Sequence, residues 1–446
     1  MFMSLINTVF FQTIFAFSVK VLAGGASYFL FMIFAQYLGT ENFGDFSFYF
    51  SVITLFGIVG NFGQQIFLVK EIPKARLSTT CYEENHIYSF TKKVTLFSSF
   101  FTAVVFLLFS FINEGGILNF IGVWGALLVM FYSWSQTSIG ALRIQDRTLF
   151  ALFTRDLAWR CLSIVAIALY SFFLGRILST HEALMILTVT LVPFLGIHLF
   201  ALRSNINILN VNKAPKSCNK KWLENSFGLA MISLISSADS YIYTIILGYI
   251  SSAQEVGGSF AAFKTVEFLN LFLMAVTLIV SPKLSEMAAM NDVEGLQRKC
   301  NVAIILQSVP VIFSFFIIML FADQIMLLFN ESFAQYAPLL KVLAVGMVVN
   351  ALTGATGLLL QIGNMHWEHV VYQGVAILLA ALLLPLFVHL FGVVGVGYSF
   401  ILSKVLWNIL AIRAIKRNLK IDPSIFAFLS PKRRYFSSLK RDLFRP

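Results

Sequence analysis

Residues 13–32, TIFAFSVKVLAGGASYFLFM, are long and apolar enough to cross a bilayer as one helix, and they hold a single charge, Lys20. Counted from the predicted inner end of that helix, Lys20 lies about 16 Å deep, near the bilayer midplane. A charge at that depth costs from about 3 to more than 10 kcal/mol. The position therefore predicts a function for Lys20 inside a helical bundle.

The rest of the chain has the same character. Its 446 residues are 58% hydrophobic and only 12% charged, against about 25% charged in soluble domains, and the mean hydropathy is +0.83. We therefore predict an all-α integral membrane protein. Windows of apolar residues predict twelve transmembrane helices, at residues 9–36, 44–69, 94–113, 117–140, 151–174, 183–203, 223–250, 257–281, 301–322, 336–361, 369–390 and 393–415.

Lysines and arginines indicate the orientation. Twenty-six of them fall on one side of the predicted membrane, whereas the opposite side has only Arg176. By the positive-inside rule both termini are cytoplasmic in a multi-pass protein. The net charge of +11 is thereby accounted for without a nucleic-acid partner. The four cysteines form no CxxC pair, so no metal site is expected.

The chain resembles a duplicated half. The segment QYLGTENFGDFSFYF at 36–50 matches GYISSAQEVGGSFAAF at 248–263, and the offset that sets Gly44 on Gly257 also sets Lys70 on Lys283. Six helices per half predict parallel repeats, related by a pseudo-two-fold axis along the membrane normal and enclosing a central cavity. The chain is predicted to consist of an N-terminal lobe at 1–205, a cytoplasmic linker at 206–222, a C-terminal lobe at 223–416 and a basic cytoplasmic tail at 417–446.

Charges within the predicted helices are the candidates for a functional site, because the loops hold no catalytic motif. No acidic residue stands three or four positions from Lys20 or Lys404 in the sequence. Lys264 and Glu267 are spaced i,i+3, and Asp156 and Arg160 are spaced i,i+4, so either pair would neutralise itself or face the cavity. A surplus of cations predicts an anionic cargo such as phosphate, pyrophosphate or an acidic sugar.

Residues 34–72, FAQYLGTENFGDFSFYFSVITLFGIVGNFGQQIFLVKEI, resemble the first helix pair of Wzx-type polysaccharide flippases. These belong to the multidrug/oligosaccharidyl-lipid/polysaccharide exporter superfamily, and SPKLSEM at 281–287 is similar to the second-half counterpart. The resemblance implies a transporter rather than an enzyme, in the bacterial inner membrane. It would move an undecaprenyl-pyrophosphate-linked repeat unit of O-antigen, capsule or exopolysaccharide to the periplasmic leaflet. Polysaccharide polymerase and chain-length proteins are its implied partners. The resemblance also implies a cationic cavity that binds the cargo, supplied here by Lys20, Arg155, Arg160, Lys264 and Lys404.

The sequence leaves the energy source and three other functions as alternatives. No cofactor is expected, but Asp239 or Glu267 would suit coupling to H⁺ or Na⁺, and gradient-driven flipping is the alternative. A multidrug antiporter of the same superfamily would favour acids in its cavity, whereas helix one offers Lys20. A membrane-embedded polymerase or ligase would need a large periplasmic loop, which the predicted topology lacks. A lipid II flippase usually has two further helices.

Overall fold

The computed structural model describes residues 2–77, 84–114, 119–203 and 216–429, and within these ranges the chain is helical with no strand. Two compact units follow one another, Met1–Gly257 and Gly258–Pro446. The first unit contains α1 (Phe2–Asn61), α2 (Gln64–Leu77), α3 (Glu84–Glu114), α4 (Phe120–Ile144), α5 (Thr148–Leu152), a π-helical turn (Phe153–Ala158), α6 (Trp159–Leu174), α7 (Thr180–Arg203) and α8 (Lys216–Ile250).

The second unit begins within α9 (Ala253–Glu267). Its remaining elements are α10 (Asn270–Ala289), α11 (Val293–Leu327), a 3₁₀ turn (Glu331–Tyr336), α12 (Ala337–Leu352), α13 (Thr356–Ile362), α14 (His366–Phe391), α15 (Val394–Asn418) and a 3₁₀ turn (Ile425–Leu429).

Ten helical segments in the described ranges are long and apolar enough to span a membrane. The first, Ser18–Arg76, covers two of the predicted windows, because α1 bends at Gly39 (φ 74°) between them. The window at 117–140 overlaps α4, which is not among the ten, and its first two residues lie outside the described residues. The all-helical membrane fold is therefore confirmed, and a count of twelve crossings stays a prediction.

Small and hydroxyl-bearing residues hold the helices of the first unit together. Ser133 of α4 donates to the Gly57 carbonyl at 2.9 Å, and Asn61 donates to Thr137 at 2.8 Å. A Cβ at Gly60 would lie 2.6 Å from the Thr102 hydroxyl oxygen, so only glycine allows this approach. Such contacts replace the hydrophobic driving force that is missing between helices in lipid.

Helix α8 packs along α1 and α2 inside the first unit. Its first turns, from residue 216 to 222, were expected as linker but are helical, because Trp222 is buried against Phe67 and Phe90. Further along α8, Ser226 accepts a hydrogen bond from Gln64 at 2.9 Å. Linker residues 206–215 lie outside the described residues, and the predicted lobe boundaries stay a prediction.

The second unit has a helix break between α12 and α13. Between α12 and α13 the chain turns at Gly354 (φ 77°), and Asn408 of α15 accepts hydrogen bonds from Thr353 at 2.7 Å and Thr356 at 3.1 Å. Beyond α15, Asp422 exchanges two main-chain hydrogen bonds with the Gln297 side chain, both 2.7 Å long. Residues 430–446 of the predicted basic tail lie outside the described residues.

Candidate functional site

A π-helical turn places the first candidate charges. Residues Phe153–Ala158 interrupt the helix formed by α5 and α6, and Arg155 and Asp156 both lie in this turn. Turns of this kind recur at functional sites because they displace side chains from regular α-helical spacing. Arg155 is only 8% exposed. Its guanidinium is thus held in the protein interior, and Arg160 follows one turn later in α6.

One carboxylate serves both arginines. Arg155 Nη1 donates to Asp156 Oδ1 at 2.7 Å. Arg160 Nη1 lies 4.0 Å from the same oxygen and donates to the main-chain carbonyl of Asp156. Asp156, predicted as the i,i+4 partner of Arg160, is therefore closer to its neighbour Arg155.

Two further cations join this pair from other helices. Lys20 of α1 interacts electrostatically with Asp156, Arg143 and Arg155. Arg143, in the last turn of α4, also interacts with Asp156 and Arg155. These four residues and Arg160 are called the cationic cluster. It sets four positive charges against one negative charge, all within the first unit.

Aromatic rings line part of the cluster. The Arg155 guanidinium carbon lies 4.8 Å from the centre of the Tyr132 ring on α4, and that of Arg160 lies 6.0 Å from the Trp159 ring. Arg160 also interacts electrostatically with Tyr241 of α8. Ring faces stabilise cations weakly and without neutralising them. The rings therefore help to position the guanidinium groups, and within the cluster Asp156 is the counter-charge for four cations.

Several buried donors of the cluster have no acceptor among the described residues. These atoms are Arg155 Nε and Nη2 and Arg143 Nε. Buried polar groups are hydrogen-bonded in nine cases of ten or more. Unmatched N–H groups of guanidinium that lie beside a surplus of positive charge suit a ligand rich in anionic oxygens.

A buried histidine borders the cluster. His198 of α7 is 1% exposed and bridges Ser138 of α4 and Thr154 of the π-helical turn. Its Nδ1 lies 2.8 Å from Ser138 Oγ, and its Nε2 lies 2.6 Å from Thr154 Oγ1. Because Thr154 precedes Arg155, His198 helps to hold the turn that carries the arginine.

The other predicted residues lie elsewhere. In the second unit, Lys264 is 7% exposed and donates to Glu267 at 2.8 Å, as one of the two readings of that spacing expected. Lys404 lies 4.9 Å from the centre of the Phe400 ring. Asp239 lies partly buried on α8 in the first unit. The structure thus brings together Lys20, Arg155 and Arg160, and it places Lys264 and Lys404 in the second unit.

Three residues in or beside the cluster were not predicted from the sequence. Arg143 counted as a loop charge because helix four was predicted to end at 140, whereas α4 continues to Ile144. Tyr132 and His198 lie in apolar windows where no local spacing marks them. Only the packing of α4 and α7 against the π-helical turn reveals these contacts.

Comparison with known proteins identifies the family. The family described as "Polysaccharide biosynthesis protein" matches residues 11–288, more than half of the chain. The chain belongs to this family. It is 24% identical over 201 residues to the probable low-salt glycan biosynthesis flippase Agl15 of Haloferax volcanii, a match that spans 43% of each protein. The resemblance to polysaccharide flippases is thereby confirmed at the level of the family.

Solved structures show the same fold. An inward-facing multidrug resistance MATE transporter of the MOP superfamily superposes with a TM-score of 0.69, at 16% identity, over 92% of this chain and 98% of that one. The lipid II flippase MurJ, in an inward closed conformation, superposes with a TM-score of 0.68, at 14% identity, over 97% and 99%. These relatives are transporters and flippases rather than enzymes, in agreement with the expectation from the sequence.

Proposed function

We propose that this protein flips an undecaprenyl-pyrophosphate-linked oligosaccharide from the cytoplasmic to the periplasmic leaflet of a bacterial inner membrane. The cargo would be a repeat unit of O-antigen, capsule or exopolysaccharide. The family and the flippase relative support movement of a lipid-linked glycan. The predicted orientation, with both termini in the cytoplasm, places the basic ends of the helices on the loading side.

The charge balance of the cationic cluster is the observation that carries this proposal. At a given distance, like charges repel more strongly where water is scarce than in bulk solvent. Asp156 balances only one of the four cations. A diphosphate brings two or more negative charges and would turn this repulsion into attraction. A neutral sugar or a cationic drug would leave the cluster unbalanced.

The donor types also fit a diphosphate. A guanidinium presents its N–H groups as a planar fork that matches two phosphate oxygens, whereas an ammonium acts as a mobile point charge. Arg155 offers two buried N–H-bearing nitrogens that have no acceptor among the described residues, and Lys20 reaches the same region from α1. The sugar would follow the headgroup through the protein while the undecaprenyl chain stays in lipid.

Alternating access is the mechanism we infer for the movement. Two six-helix lobes rocking about a central cavity would expose the headgroup first to one leaflet and then to the other. Lys264 and Lys404 would meet the cargo in this scheme if their helices line that cavity. Asp239 and Glu267 remain our candidates for H⁺ or Na⁺ coupling, with Glu267 already bound to Lys264. Polysaccharide polymerase and chain-length proteins would receive the product.

A multidrug antiporter is the second candidate, because a MATE transporter shares the fold as closely as the lipid II flippase does. Most drugs exported by such antiporters are cations. Four cations around one carboxylate would repel them. Expression in a host that lacks its own efflux pumps separates the candidates: increased drug resistance would support the antiporter, and unchanged resistance would support the flippase.

Replacement of Lys20 by alanine tests the proposed function. In a strain deleted for the gene, the Lys20→Ala variant should restore no surface glycan, at a protein level equal to that of the wild type. Lys93→Ala, at an exposed lysine of α3, is the matched control and should restore the glycan fully. Normal glycan in the Lys20→Ala strain would exclude an essential role for this cation.

A further inference from the structure

The hydrogen bonds around His198 can be counted atom by atom. Ser138 Oγ lies 2.8 Å from the carbonyl oxygen of Ser135 and 2.8 Å from His198 Nδ1. Thr154 Oγ1 lies 2.7 Å from the carbonyl oxygen of Phe150 and 2.6 Å from His198 Nε2. Each hydroxyl therefore sits between a carbonyl and one ring nitrogen.

The number of hydrogens available for these four contacts depends on the protonation state of the His198 ring. A hydroxyl has one hydrogen, and a carbonyl oxygen can only accept. If both hydroxyls donate to their carbonyls, both ring nitrogens must donate to the hydroxyls, and the ring then carries two N–H groups and a positive charge. A neutral ring has one N–H, so one hydroxyl must turn toward the ring and give up its carbonyl. All four contacts are satisfied only in the protonated ring.

Burial opposes a positive charge on the ring most, and neighbouring charged groups add to this opposition or offset it. His198 interacts with two charged groups on the π-helical turn, Arg155, which repels a positive ring, and Asp156, which attracts it. An anion bound at Arg155 would neutralise the nearest repelling charge.

We propose that His198 is a proton-binding site linked to the anion site of the cationic cluster, so that a proton and the diphosphate headgroup bind together. The inference rests on the proposed function, because it requires the cluster to bind an anion. By linkage, whatever free energy the anion gives to proton binding, the proton returns to anion binding. One proton would accompany each headgroup into the membrane and reduce its net charge.

Calorimetric binding of inorganic pyrophosphate to the purified full-length protein tests this inference. Titrations at about pH 7 in two buffers of different ionisation enthalpy give the number of protons exchanged on binding. The His198→Gln variant should take up fewer protons than the wild type, by up to about one per pyrophosphate, because a single ring is linked. The difference between the proteins removes the protons that pyrophosphate itself exchanges. Wild-type affinity should also rise on acidification more steeply than that of the variant, by at most about tenfold per pH unit.

Two further variants make the result decisive. His369→Gln changes a partly buried histidine of the second unit and should exchange protons as the wild type does. Ser138→Ala removes one hydroxyl acceptor, so it should reduce proton uptake even if His198→Gln does not fold. If the folded His198→Gln and Ser138→Ala variants exchange as many protons as the wild type, the linkage is overturned and the anion site is left intact. Failure of the wild type to bind pyrophosphate would overturn both the anion site and the linkage.

Discussion

The two units differ in the number of cations that surround each carboxylate. In the first, Arg155 and Arg160 share Asp156 with Lys20 and Arg143, so positive charge exceeds negative charge. In the second, Lys264 has its own carboxylate at 2.8 Å, in Glu267. A lysine with a carboxylate on its own helix is neutralised without a ligand, whereas one carboxylate shared by four cations leaves charge to be balanced. The contrast teaches that a buried lysine or arginine indicates an anion site only when its counter-charges have been counted.

Removal of each carboxylate should give the largest difference between the units. Asp156→Asn leaves four cations together and takes a buried ion pair apart, a change that typically costs about 3–5 kcal/mol. Glu267→Gln should cost less, because it removes the carboxylate from one buried cation instead of four and Glu267 itself is 35% exposed. Thermal unfolding of the two purified variants in the same detergent measures the contrast. Equal losses would show that the pair in the second unit is as essential as the shared carboxylate.

Exchange of the cation type should separate the units by activity. Arg155→Lys keeps the charge but loses the forked donor, so flipping should fall by about tenfold or more, as expected when a bidentate phosphate contact is lost. Lys264→Arg keeps its charge and can still reach Glu267, so flipping should change by less than about twofold. Restoration of surface glycan at matched protein levels is the measurement. A larger loss for Lys264→Arg would assign the headgroup contact to the second unit.

Loss of the aromatic faces should give the smallest difference between the units. Arg155 lies 4.8 Å from the Tyr132 ring, and Lys264 lies 4.9 Å from the Phe260 ring. Tyr132→Leu and Phe260→Leu should each remove about 1–2 kcal/mol of cation–π attraction in a desolvated setting. Melting temperatures of the two variants provide the comparison. A loss of glycan export in Tyr132→Leu without a lower melting temperature would show that the ring touches the cargo.

Much of the fold was predictable because membrane helices follow from length and hydropathy alone. Each predicted window overlaps a helix of the structure, and the bend between the first two falls at Gly39 in a quoted turn sequence. The extent of a helix was harder to predict. Helix α8 begins at Lys216 instead of 223, since the burial of Trp222 outweighs the polarity of the preceding lysines.

The site was predictable only in part. Lys20 could be recognised from its depth, and Arg155 and Arg160 from their position beside Asp156. Their meeting with Lys20 depends on the packing of α1 against the π-helical turn, which no local spacing encodes. The pairing of Lys264 with Glu267 could not be decided from the sequence, because i,i+3 spacing allows a contact without requiring it.

The π-helical turn at Phe153–Ala158 also has a consequence for how related sequences should be aligned. Such a turn amounts to one residue inserted into an α-helix, and each inserted residue rotates the two flanking segments by about 100° relative to each other. A relative without the insertion would show a one-residue gap here. The helix that corresponds to α6 would then direct a different face at the helix that corresponds to α1. The presence of that gap would then tell, from sequence alone, which members of the family share this arrangement of guanidinium groups.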